Sequence, residues 1–179
     1  VPSALRQFQG SLELAESVAP RSTVVSTNHN SLGLTYQAIG NLGDARRHFE
    51  RALEIDSAIA PDSPLVAADL QNLGSLHQAA GDLREAIRCV TAAEDIQRRR
   101  EPGSVALAIT LDTLAQLHLE ESDAAGAIRR AEEALAIFER LEGERSPDKA
   151  MCLEILGRAY EAHHDAAAAR EALERSIDA

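Results

Sequence analysis

The chain predicts an all-α solenoid of stacked antiparallel helical hairpins, and three periodic features carry that prediction. Ser22, Ser63, Ser104 and Ser146 follow one another at steps of 41, 41 and 42 residues. Pro20, Pro61 and Pro102 each stand two residues before a marked serine. Four blocks, HNSLGLTY at 29–36, LQNLGSLH at 70–77, LDTLAQLH at 111–118 and LEILGRAY at 153–160, superimpose as a leucine, then a small residue, then a ring. Self-similarity at a fixed period of about 20 to 50 residues marks repeat architectures and takes precedence over local readings.

Within each block the apolar and small residues recur at i, i+3, i+4 and i+7, which places them on one face of a first helix, A. Gly33, Gly74, Ala115 and Gly157 occupy the same point of that helix. Glycine there costs about 1 kcal/mol of helix propensity relative to alanine, a cost that close approach of a neighbouring helix offsets. Each marked serine precedes helix A, where its side-chain oxygen can accept from an N–H two or three residues on, a cap typically worth about 1 kcal/mol. Pro64 and Pro147 follow at the first helical position, where a missing N–H does no harm.

Gly40-Asn41, Gly81-Asp82, Ser122-Asp123 and His164-Asp165 then suit a helix C-cap followed by an N-cap. Ala45, Ala86, Ala127 and Ala169 open a second helix, B, whose stripe continues through Phe49 and Ala52, Val90 and Ala93, Ala131 and Ala134, and Leu173 and Ser176. A short turn between two amphipathic helices makes an antiparallel hairpin. The odd residue of the 42-step belongs to the connection Leu141–Arg145. Run backwards, the period matches Ala4, Phe8 and Leu12 to Ala45, Phe49 and Leu53. The chain is therefore expected to begin inside a repeat, with an unpaired helix B at about 3–18, an apolar stripe of Leu5, Phe8 and Leu12, and a tendency to end-to-end self-association. The expected division is 1–20 for the orphan helix B, then repeats at 21–61, 62–102, 103–144 and 145–179.

The Leu-Gly pair, the following ring, and the later alanines and aromatic resemble the tetratricopeptide repeat over almost the whole chain. The long period and wording such as EIDSAIAPDSPLVAADLQNLGSLH at 54–77 resemble the 42-residue subtype of kinesin light chains. Departures are His29 for an apolar residue, His77 and His118 for Tyr, and Ala131 for a large residue, which predict a thinner core at those points. The resemblance implies a right-handed superhelix whose A helices line a concave groove for an extended or helical peptide. It places Asn30, Leu34 and Gln37, Gln71, Ser75 and Gln78, Asp112, Gln116 and Leu119, and Glu154, Arg158 and Glu161 on that groove. The first two sets are amide-rich and expected to meet a peptide backbone, whereas the acidic residues of the last two, with Glu120, are expected to meet a basic residue. The groove lacks the cations of a carboxylate clamp.

Composition narrows the function further. Aromatics are only 3% and Trp is absent, so burial must come from closely packed Ala, Leu, Ile and Val. A formal charge of −11 opposes binding to nucleic acid or anionic lipid. No apolar run approaches the roughly 18 residues of a membrane span. Cys89 and Cys152 form no metal-type spacing and are expected to be reduced thiols, which places the chain in the cytoplasm. His77 and His118 share a repeat position with Tyr36 and Tyr160 and are expected to pack between helices; His163 and His164 lie in a turn and are poorly placed to chelate. Arg98, Arg99 and Arg100 are expected to offset the dipole at the end of helix B. GxSxG, P-loop, HExxH and dinucleotide glycine motifs are absent, so the expectation is a non-enzymatic interaction scaffold for a protein or peptide partner, without cofactor or metal. The alternative is the sensor or substrate-recruiting part of a larger signalling ATPase, protease or transcription regulator.

Overall fold

The computed structural model describes residues 2–141 and 147–178. Among them the chain forms nine helices and no strand: α1 Pro2–Val18, α2 Thr23–Ala38, α3 Leu42–Ile59, α4 Pro64–Ala79, α5 Leu83–Arg100, α6 Val105–Glu120, α7 Ala124–Leu141, α8 Pro147–Ala162 and α9 Ala166–Asp178. They form two compact units, Val1–Ile96 and Gln97–Ala179. In the first, α1 packs on α2, α2 on α3 and α3 on α4; in the second, α7 lies between α6 and α8, and α8 packs on α9.

The helix starts follow the expected chemistry. Ser22, Ser63 and Ser104 accept the N–H groups of Val25, Val66 and Leu107 at 3.4, 3.3 and 3.2 Å, each three residues on. Ser146 lies outside the described residues, as does most of the connection assigned the odd residue. The four turns between A and B are built alike. Gly40, Gly81, Ser122 and His164 take φ of 78, 80, 66 and 64°. The N–H of the next residue then reaches back to the carbonyl of the ring residue, Tyr36, His77, His118 or Tyr160, at 2.8–2.9 Å. Asn41, Asp82, Asp123 and Asp165 complete each turn by capping the following helix through their side chains. One turn thus ends a helix with a left-handed residue and starts the next with an N-cap.

Small residues of helix A allow the hairpins to close. A methyl placed on Gly33 would lie 2.5 Å from the Phe49 ring, on Gly74 2.5 Å from Val90 Cγ2, and on Gly157 2.7 Å from Leu173 Cγ. In the third hairpin the equivalent residues are Ala115 and Ala131, both fully buried in one cluster with Leu111, Phe138 and Leu153. This small pair leaves neither side chain open to solvent. The expected apolar stripe of α1 is also partly covered: Leu5, Phe8 and Leu12 are half-buried as α1 packs on α2.

Ion pairs link successive B helices of the second unit. Arg98 donates two hydrogen bonds to Glu133, at 2.5 and 2.6 Å, and holds that carboxyl below its usual range. Arg175 donates to Glu139 at 2.5 Å. Arg98 and Glu139 are equivalent repeat positions, as are Glu133 and Arg175, so the link recurs with its signs exchanged. Half-exposed pairs of this kind contribute only about 0.2–1 kcal/mol. Their exchange matters more for order, because an α9-type helix placed against α5 would set Arg175 against Arg98. Arg98 therefore does more than the dipole compensation expected of it.

Two stability measurements test this account. Gly33→Ala should cost about 1–3 kcal/mol in urea unfolding through overpacking against Phe49, yet become neutral or stabilising in a Phe49→Ala background, where alanine's helix propensity is uncovered. Ser122→Gly and His164→Gly should each stabilise by up to about 1 kcal/mol, since glycine adopts positive φ without strain.

Candidate functional site

The residues expected to line a groove lie on the A helices α2, α4, α6 and α8. In the first unit such residues join α2 and α4 by hydrogen bonds. Asn30 Nδ2 donates to Asp69 Oδ1 at 2.5 Å, while Asn30 Oδ1 accepts from Asn72 Nδ2 at 3.3 Å. Gln37 Nε2 donates to Ser75 Oγ at 3.0 Å. Leu34 and Ser75 are exposed, whereas Asn30, Gln37, Gln71 and Gln78 are half-buried. Much of the amide capacity expected to meet a peptide backbone is thus used between the two helices. Asn30 in particular supports the buried Asp69 from above.

In the second unit the face is formed by α6 and α8. Asp112 is half-buried, and burial pushes its carboxyl up to about 6 against the opposing effect of the Cys152 thiol beside it. That thiol is fully buried, donates to the Ala131 carbonyl at 3.3 Å, and is pushed far above its ordinary range by burial and by Asp112. Gln116 is exposed and donates to Glu120 at 3.3 Å; Leu119 packs against the core. Glu154, Arg158 and Glu161 are exposed. One helical turn earlier on the same face, Ile109 and Met151 are 45% and 56% exposed. Sequence reasoning omitted these two, although each stands three residues before a residue it placed on the groove, Asp112 or Glu154, and Met151 is the only methionine.

Among the described residues no group of three or more His, Cys, Asp or Glu side chains converges as metal ligands, and both cysteines are free and buried. His29, the expected departure from an apolar residue, is buried and shares a hydrogen bond between Nδ1 atoms with His48 at 2.9 Å; Tyr36 stacks on His48. Burial and the His48 charge lower His29 to about 4. His118 lies 3.1 Å from Asp123, and His77 3.8 Å from Asp82, each half-buried beside its own turn. A cavity of about 240 Å³ between α7, α8 and α9 is floored by Leu135, Leu156 and Ala172. Two of the carboxylates lining it are engaged, Glu132 by the Tyr160 hydroxyl at 2.7 Å and Glu139 by Arg175.

Comparison with known proteins agrees with this architecture. The family model for the tetratricopeptide repeat matches residues 2–58, 23–99, 66–140 and 106–179. Among solved structures, BtubC (BKLC) from P. vanneervenii is 25% identical, with a TM-score of 0.80 over 96% of this chain and 74% of that one. A kinesin light chain-like protein of nearly identical TPR-like repeats from Podosopora anserina is 20% identical, with a TM-score of 0.83 over 98% and 85%. MamA is 17% identical, with a TM-score of 0.69 over 97% and 84%. A comparison with curated protein sequences finds no match. Among the described residues no helix is long and apolar enough to cross a membrane. Its periodic helical hairpins and the family match along its length show that the chain belongs to the tetratricopeptide repeat family.

Proposed function

We propose that this chain is an interaction module that binds a peptide segment of a partner protein, and that the face of α6 and α8 selects a segment carrying an apolar side chain close to a lysine or arginine. Tetratricopeptide repeats generally mediate protein–protein interaction, which sets the class of function. The observation that carries the finer reading is that exposed Met151 stands one turn before exposed Glu154 on α8, with exposed Ile109 at the equivalent repeat position of α6. Large apolar side chains buried by a partner contribute about 1.5–3 kcal/mol when fully covered, and methionine adapts to irregular surfaces. Carboxylates around them favour a basic residue through charge complementarity and disfavour an acidic one.

The face of α2 and α4 plays a different part. With Asn30 bound to Asp69 and Asn72, and Gln37 bound to Ser75, it presents a preorganised polar surface rather than unsatisfied amides. Leu34 supplies its exposed apolar contact. Backbone recognition there works through the second hydrogen-bonding capacity of the same amides, without fresh ordering of the side chains.

A displayed peptide library selected on the intact chain tests the proposal. Enriched peptides should combine an apolar residue with Lys or Arg, and Ile109→Ser with Met151→Ser should weaken them at least about tenfold, roughly 1.4 kcal/mol. Enrichment of acidic peptides, or affinity unchanged by both substitutions, would remove the reading. Asn30→Ala is expected instead to destabilise the fold by about 1–3 kcal/mol in urea unfolding, because it strips a donor from a buried carboxyl. Loss of capture by that variant therefore has to be judged against its stability.

A further inference from the structure

We propose that Asp56 and Asp69 share a single proton, making the packing of α2, α3 and α4 a pH-sensitive element that tightens as acidity rises through the near-neutral range. Asp69 is fully buried and Asp56 is 2% exposed. The outer oxygen of each has a donor: the buried Ser26 hydroxyl gives its proton to Asp56 Oδ1 at 2.7 Å, and Asn30 Nδ2 donates to Asp69 Oδ1 at 2.5 Å. The Oδ2 atom of each has none. Ser26 and Asn30 stand one turn apart on α2, so the two carboxyls they hold come together, and the Asp56 charge bears on Asp69. Ionised carboxylates only accept, so a hydrogen bond between two of them requires a proton on one. One shared proton supplies the donor that both Oδ2 atoms lack.

The surroundings favour this over two charges. Like-charged carboxyls in a low-dielectric site cannot both ionise cheaply. From α3 the group facing Asp69 is Asp56, from α2 Asn30 faces Asp69 and Ser26 faces Asp56, and α5 meets this end of α4 with Ala93 and Ile96 and also carries the buried acid Glu94. None of these is a cation. The position equivalent to Asp69 is held by Asn28, Thr110 and Cys152 in the other repeats, all buried and formally neutral. Asp69 is the one acid among them, and protonation makes it conform. The pair also sits beneath Asn30, so its charge bears on the α2 and α4 surface that carries Gln37 and Ser75.

The direction of the pH effect follows. Burial first, and then the Asp56 charge, push Asp69 from 3.8 up to about 7, while the Asn30 hydrogen bond pulls the other way. A carboxyl whose folded value is raised contributes stability below its unfolded value and loses it as pH rises through about 7. His29 acts oppositely: lowered from 6.5 to about 4, it contributes stability above 6.5 that is lost as pH falls through about 4. The two trends overlap in the wild type, so the comparison with an Asp69 variant separates them.

Asp69→Asn retains an acceptor for Asn30 and offers Asp56 Oδ2 a permanent N–H in place of the proton. Thermal unfolding of the intact chain and this variant between pH 4 and 9 should show close melting temperatures near pH 4 and a variant higher by about 4 °C or more at pH 8. Asp56→Asn should behave alike. Carbon-13 resonances of the two carboxyl groups in the wild type should report one proton released near neutrality. A melting difference independent of pH, or two carboxyls both titrating near their ordinary values, would overturn the shared proton. So would calcium or magnesium chloride raising the wild-type melting temperature at pH 8 to that of the variant, since a metal cation and not a proton would then hold the pair. Should neither variant fold, the wild-type carbon-13 titration decides the matter alone.

Discussion

The close approach of helix A to helix B within each hairpin is the constraint on which the rest depends. Gly33 admits Phe49, Gly74 admits Val90 and Gly157 admits Leu173, while Ala115 is matched by the smaller Ala131. A chain with 3% aromatics and no Trp cannot stabilise widely spaced helices with large side chains. It must bring backbones together so that Ala, Val and Leu reach dense packing. The close approach also fixes the rotation of each helix, and rotation decides which residues face outward.

The turns serve that geometry. A left-handed residue at Gly40, Gly81, Ser122 or His164 reverses the chain, and the capping Asn or Asp at once starts helix B. With both helix ends satisfied locally, the turn needs no capping partner from a neighbouring repeat. Neighbours share buried apolar clusters, such as Phe49 with Leu73 and Phe138 with Leu153, and are joined as well by polar links, such as Asn30 to Asp69 in the first unit and Arg98 to Glu133 in the second. Such links depend on direction and identity, which apolar packing does not, and they distinguish one repeat from the next.

The same specificity explains where reading the sequence succeeded and where it did not. Caps and turns were legible because their chemistry is local: Ser63 finds its partner three residues away. The small position at Gly33 and the stripe through Phe49 were each legible because the period repeats them, and the structure shows that they meet. Asn30 was placed on a ligand-facing groove by family resemblance, and its bond to Asp69, 39 residues away in the chain, is made only by packing. Asp112 was likewise placed among the surface acids, although burial beside Cys152 changes its ionisation. Ile109 and Met151 were missed because the groove positions were taken from residues that follow them, and an apolar side chain on helix A is read first as core.

By itself, the sequence determined the all-α repeat, the hairpin turns and the residues that keep the register, because helix caps, left-handed turn residues and 3.6-residue periodicity act within a few residues of chain. The tertiary structure alone decided which polar groups are consumed between repeats, which apolar side chains remain exposed, and that Asp56 meets Asp69 in a buried site. Those outcomes depend on distances between helices that no local periodicity encodes, and on the change in dielectric that burial brings.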